Sequence, residues 1–441
     1  MSRPLLRLSL IALTFIITST GIYAGAAEDR SFDYLGEIRS PQPGSYRLFG
    51  TAISIWGGRI AIGEPGSPDP AHNHTGRVYI MGLAGDHVAT LQPPQQAPGS
   101  NFGISMAAGD GFIVVGESNA EADGEANAGA VHIFDAEGTH VATLRSPDPY
   151  GNASFGVSLA AHGGLFVVGE PGPYARDGDV TGRAYLYDSE GRLLHTLEQP
   201  QRRLGNYGLD VGISATAIIV GEPHAVVGHD AGKGRAHIYD LDGSLLASLE
   251  SPSPGHEITN FGWAVDVGDD TAVVGEVLGD AGNKPMAGLA YIYSLDGRLI
   301  RRMQSPTPSA AGAFGNDVAI CGAFIAVGEP RGAAGDSPGF GCVHIFNLTG
   351  GHLLTIPPPQ GEETGYFGFP LDAEGDTLAT GDLLSGEGGE AYAGRVYAHR
   401  INLTPAEEAE AAQTETLNPY VAGFVAVIAA LALWLARTRR R

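Results

Sequence analysis

Apolar residues in this chain come in short runs separated by turns rich in Gly, Asp and Pro. One stretch shows the pattern. Trp263 to Val267 is a first run, and Gly268-Asp269-Asp270 closes it. Thr271 to Gly275 is a second, rich in β-formers. After a longer loop comes Leu289 to Tyr293; Leu295 to Gly297 turns, and Leu299 to Met303 is a fourth run. Runs this short, bounded by turn residues and lacking a helical period, predict four β-strands, here called A to D.

The same unit recurs seven times. Aromatic-Gly pairs begin at Phe49, Phe102, Phe155, Tyr207, Phe261, Phe314 and Phe367, spaced by 52 to 54 residues. A Gly-acid pair keeps step at the end of strand B, at Glu64, Glu117, Glu170, Glu222, Glu276, Glu329 and Asp382. A third Gly keeps step from Gly76 to Gly394. A period near 50 with four strands per unit predicts a radial array of sheets, a β-propeller, rather than an open stack.

The seventh unit has no fourth strand of its own. Its strand C is expected at Arg395 to Ile401, but residues 405–414 read PAEEAEAAQT, acidic and Ala-rich. The missing strand stands at the front. YLGEIRSPQP at 34–43 matches HVATLRSPDP at 140–149 and LLASLESPSP at 245–254, which close other units. Tyr34 to Arg39 should therefore complete blade seven and close the ring, removing exposed sheet edges. The expected fold is all-β: a seven-bladed β-propeller of four-stranded blades over residues 27–402.

The termini add a location. Residues 1–26 read as a signal peptide, with Arg3 and Arg7, an apolar stretch, and Ala24-Gly25-Ala26 as the cleavage signal. Residues 403–418 read as an acidic stalk and 419–436 as a C-terminal transmembrane helix. The 17 residues from Tyr420 to Ala436 just span a bilayer core. The Arg-rich tail at 437–441 should stay cytoplasmic, placing the ring outside the cell. The tail also has the form of a microbial sorting signal, in which case it would be removed. The exported part holds 20 Lys and Arg against 49 Asp and Glu, a formal charge of −29. That charge opposes nucleic-acid binding.

The aromatic-Gly start, the Gly-x-Pro end of strand B and the G-x-(V/A)-(Y/H) third strand resemble the FG-GAP repeat family. That family includes the propeller of integrin α subunits and many surface proteins of microbes. The resemblance covers roughly residues 33–402 and implies extracellular adhesion or ligand binding. Many members hold calcium in a D-x-D-x-D-G turn between strands A and B. Here those turns read WGG, AGDG, AHGG, SAT, GDD, CGA and EGD, too poor in oxygen ligands for such a cage. No cofactor or metal is expected, calcium held some other way remaining open.

Catalytic motifs are absent: no G-x-S-x-G, H-E-x-x-H, P-loop or Cys-x-x-Cys occurs. A non-enzymatic surface binding module is the leading expectation. The alternative is a propeller enzyme, a hydrolase or lyase with carboxylates at the mouth of the ring. Glu64, Glu170, Glu222 and Asp382 each precede an Arg by thirteen residues, at Arg77, Arg183, Arg235 and Arg395, and should pair with it across the B–C hairpin. Glu117, Glu276 and Glu329 lack that Arg and are the candidate ligand contacts, with Asp123 and Asp336 in the long B–C loops. Those loops and the D-to-A connections share one face, the expected binding face for an extracellular protein or glycan. Tyr79, Tyr185, Tyr291 and Tyr397 alternate with His132, His237 and His344 at one strand-C position, and read as packing. Asn73, Asn152, Asn347 and Asn402 are N-glycosylation acceptors by sequence. The ring is expected to be monomeric. Cys321 and Cys342 are expected as free, largely buried thiols. About seven strand residues, roughly 23 Å, separate their levels in the hairpin, far beyond disulfide reach.

Overall fold

A computed structural model describes residues 31–66, 75–172, 182–201, 205–254, 258–333, 339–359, 365–386 and 390–403. They form 28 strands, numbered here in chain order, in seven antiparallel four-stranded sheets. Blades one to six take consecutive strands, beginning with β2 (Ile53–Trp56) and ending with β25 (His352–Ile356). Blade seven is β26 (Phe367–Glu374), β27 (Thr377–Asp382), β28 (Arg395–Asn402) and β1 (Ser31–Ile38). The ring closes as the repeat phrase predicts. Ser31 faces Asn402 and Ile38 faces Val396, with a bulge between Tyr34 and Gly36. The closing strand starts three residues before Tyr34 and stops one short of Arg39.

The core lies between blades. Strand B of blade two, β7 (Phe112–Glu117), is buried at every position. A strand covered on both faces needs a continuous apolar run, and Phe112 to Gly116 supplies one before the buried Glu117. Its neighbours across the gap are Phe166, Val168 and Tyr185 of blade three. Outer strands such as β13 (Leu193–Glu198) are mostly exposed.

The three repeating glycines mark where blades touch. The glycine after each aromatic has positive φ in all seven units, from 81° at Gly315 to 101° at Gly368. A Cβ on Gly156 would lie 2.9 Å from the carbonyl oxygen of Ala130 in the preceding blade. Only glycine fits both constraints. The third glycine bridges the next blade directly, as Gly129 does with Phe155 and Gly288 with Phe314. The aromatics are fully buried, each against the Tyr or His of its own strand C. Ring centroids range from 5.4 Å for Phe102–His132 to 6.0 Å for Phe49–Tyr79.

Cys321 ends strand A, β22 (Val318–Cys321). It faces Phe324, and Cys342 faces Glu329. Both are free, buried thiols. Among the described residues no helix is long and apolar enough to cross a membrane. The signal segment, almost all of the stalk, the 419–436 segment and the Arg-rich tail lie outside them.

Candidate functional site

The acid ending each strand B is buried in all seven blades, at 5% exposure for Glu117 and less elsewhere. The Tyr or His fifteen residues on lies beside it across the hairpin. His132 Nε2 is 2.8 Å from Glu117, His237 Nε2 is 2.9 Å from Glu222, and His344 Nε2 is 2.8 Å from Glu329. Tyr185 and Tyr291 donate their hydroxyls to Glu170 and Glu276 at 3.3 and 2.5 Å. The three imidazoles pass a second bond outward from Nδ1, to Thr143, Ser248 and Thr355 on strand D. A third partner arrives from the preceding blade. The residue opening the repeated Ser-Pro phrase hydrogen-bonds the acid: Ser40 to Glu64, Gln199 to Glu222, Ser251 to Glu276. The phrase thus links strand D of one blade to strand B of the next.

The expected acid–Arg pairing holds in part. Arg77 lies 3.7 Å from Glu64 and Arg183 lies 3.9 Å from Glu170. Arg235 stands opposite Glu222 in register but turns to Glu250, at 2.9 Å. Asp382 and Arg395 face each other in register. Burial raises Glu170 to about 7, against hydrogen bonds and the Arg183 charge that hold it down.

Glu117, Glu276 and Glu329 are therefore not without partners, as the missing Arg implied. Each is tied to the Tyr or His of its own blade, and they lie apart on blades two, five and six. Asp123 is exposed in the blade-two B–C loop, 3.6 Å from Arg145. Asp336 and Asn73 lie outside the described residues. Asn152 is exposed; the Asn347 side chain is held in a C–D turn by bonds from Thr349 and Gly351; Asn402 donates to Ser31.

Two cavities matter. One, of about 340 Å³, lies under the blade-two B–C loop and is lined by Gln95, Glu117, Glu121, His132, Thr143 and Arg145 among others. A carboxylate, an imidazole, a hydroxyl and a guanidinium converge there. The B–C loops above this face vary in sequence but not in length: β7 ends at Glu117 and β8 begins at Ala130, leaving 12 residues, and every blade repeats that count.

The larger cavity, about 790 Å³, is the central channel, and it opens toward the tight A–B turns. Asp210, Asp266, Asp317 and Asp372 line it. Each reaches the next blade and accepts a backbone N–H there: Val265, Ile320, Leu371 and Ile55, at 2.6 to 2.8 Å. Ser54 accepts from Ala108 in the same way. These aspartates are half-buried along the channel wall. Burial pushes Asp210 and Asp372 up to about 7 and Asp266 to about 6, and raises Asp317 well above the usual range. Backbone donors oppose the rise. Sequence reading missed all four. Asp210 and Asp317 stand just before strand A, Asp266 and Asp372 two positions further on within it, and only four blades carry one, so no period exposes them.

Seven radial four-stranded sheets, each with a buried aromatic and three packing glycines, define the class of the protein: a seven-bladed β-propeller. The family model for the FG-GAP repeat matches residues 251–293, from the Ser-Pro phrase to strand C of blade five. Among solved structures, the WD40 domain of Neurospora crassa Pan2 is similar in fold, at 12% identity and a TM-score of 0.51; the match covers 86% of this chain and 98% of that one. No curated protein matches the chain.

Proposed function

We propose that this protein is a non-enzymatic binding module displayed outside the cell, anchored through residues 419–436. Its ligand is a glycan or an extracellular protein, taken on the face of the B–C loops. The blade-two cavity carries this reading. About 340 Å³ suits a sugar-sized group, and its polar atoms match hydroxyl-rich chemistry: Arg145 and Thr143 at the edge, Glu117 and His132 inside. Glu276 and Glu329, held within their own blades, have no part in it. An acidic exported region at −29 keeps the ring soluble and clear of nucleic acid.

The test is a glycan and protein array probed with the purified ring, followed by variants. Arg145→Ala and Thr143→Val should weaken binding of the array hit by at least about tenfold, which is roughly 1.4 kcal/mol. Asp242→Ala and Asp296→Ala, in tight turns on the opposite face, should leave it unchanged. Equal loss from both pairs, or from the second pair alone, would overturn the assignment.

A second reading is an enzyme acting on glycans or esters in the channel. The four aspartates with raised pKa favour it. Their bonds to neighbouring strands give them a structural task already, so binding ranks first. Turnover of a glycan or ester that disappears in Asp372→Asn would reverse that order.

A further inference from the structure

Blade six differs from the others at one point of the acid-aromatic pair. The position two residues before the Tyr or His holds Ala130 in blade two and Arg235 in blade four, the other two blades with His; in blade six it holds Cys342. This puts a thiol beside an imidazole and a carboxylate. Cys342 Sγ lies 3.3 Å from His344 Nε2 and 3.7 Å from Glu329 Oε2, and His344 Nε2 lies 2.8 Å from the same oxygen. All three residues are buried, at 0 to 1% exposure. Three donor atoms on a tetrahedral metal at usual bond lengths stand about 3.3 to 3.6 Å apart. The triangle matches two of its sides and needs the His–Glu side to open by about 0.5 Å.

A second observation points to a ligand. Among the described residues, Glu329 Oε1 is buried without a hydrogen-bond partner, and so is the hydroxyl oxygen of Ser309. Both face the space that a side chain at Gly312 would fill. In blades one, four and five the equivalent oxygens are all used, by Arg47 and Ser40, Gln199 and His237, or Ser251, Ser253 and Tyr291. Glu170 Oε2 in blade three is also unpartnered, but among the described residues only blade six sets such an oxygen beside a thiol and an imidazole. The outer support is also present: His344 Nδ1 is 2.9 Å from Thr355 Oγ1, which can fix the ring with Nε2 presented as a lone pair.

We propose that Glu329, Cys342 and His344 bind one transition-metal ion, zinc by the character of the ligands, with Sγ, Nε2 and a carboxylate oxygen as protein ligands and a fourth position left to water. Binding displaces the thiol proton to solvent and breaks the His344–Glu329 hydrogen bond, its proton passing from Nε2 to Nδ1, where Thr355 Oγ1 accepts it. The ion then bonds to both groups, joining β23 (Phe324–Glu329) to β24 (Cys342–Phe346). The site is distinct from the blade-two cavity and does not depend on what that cavity binds.

The test uses the full-length protein, stripped with a chelator and titrated with cobalt(II) and then zinc. One equivalent of cobalt should produce a thiolate-to-cobalt charge-transfer band, which zinc should abolish by displacement. Cys342→Ala, which installs the blade-two residue, should abolish the band. His344→Tyr, which installs the residue of blades one, three, five and seven, should weaken binding beyond the roughly 10–100-fold typical of losing an outer-shell partner. Thr355→Val should weaken it within that range. Cys321→Ser and His237→Tyr should change neither band nor affinity. Absence of the band in the parent, or its survival in Cys342→Ala or loss in Cys321→Ser, would overturn the assignment. If Cys342→Ala does not fold, His344→Tyr decides alone, since unchanged cobalt affinity there is incompatible with the site.

Discussion

Gly262 shows why single residues hold so much of this fold. Its φ is 86°, and a Cβ there would press on the carbonyl of Arg235 in the preceding blade. Gly262→Ala should therefore lower unfolding free energy by about 1–3 kcal/mol from backbone strain, and more from the clash. Gly228 makes the control. Its φ is 65° but nothing lies near its missing side chain. Gly228→Ala should cost about 1 kcal/mol, the strain alone. Urea titration of both variants measures the difference; equal losses would mean that contact between blades is not what selects glycine. The buried acids teach a related lesson. Sequence reading sorted Glu117 and Glu64 by whether an Arg followed at thirteen residues. The structure sorts them by what stands at fifteen, where a Tyr or His is present in every blade. A cross-strand neighbour one alternation further on shares the same face, and that face is the buried one.

At the scale of the strand, the inner strands are joined by side chains as well as by packing. Asp210, Asp266, Asp317 and Asp372 each bind the backbone of the next strand A, so blades four to seven and blade one are linked through carboxylates. Their folded-state pKa values lie above the usual value near 4 of an unfolded Asp. The folded ring thus binds these protons more tightly than the unfolded chain. The resulting stability is fully present below about pH 4 and is lost as pH rises through 6 to 7. The urea midpoint should accordingly fall between pH 5 and pH 8. The general repulsion of an acidic chain acts in the same direction, so the Asp210→Asn, Asp372→Asn double variant supplies the comparison. Its midpoint should vary less over that range. A slope as steep as the parent's would show that the channel acids do not titrate there.

At the scale of the molecule, closure is the decisive event. β1 must find β28 across almost the whole chain, with Tyr34 opposite His399 and Glu37 opposite Tyr397. Deleting residues 27–41 should open blade seven, expose β28 as a sheet edge and lower the melting temperature sharply with aggregation. A deletion variant that stays monomeric and melts like the parent would refute closure by this strand. Repeat number, strand content and closure were all legible in the sequence. Each is written in local patterns, namely apolar run length, turn residues and a phrase that appears once at the wrong end. Those patterns act through neighbours in the chain or through an identical contact repeated seven times. Contacts that occur only once, between different blades, leave no such trace. The blade-two cavity and the channel aspartates depend on which side chains the ring brings face to face, and only the closed tertiary structure decides that. The Glu329–Cys342–His344 cluster lies within one B–C hairpin, and there it is the packed geometry of the side chains that brings three donor atoms together.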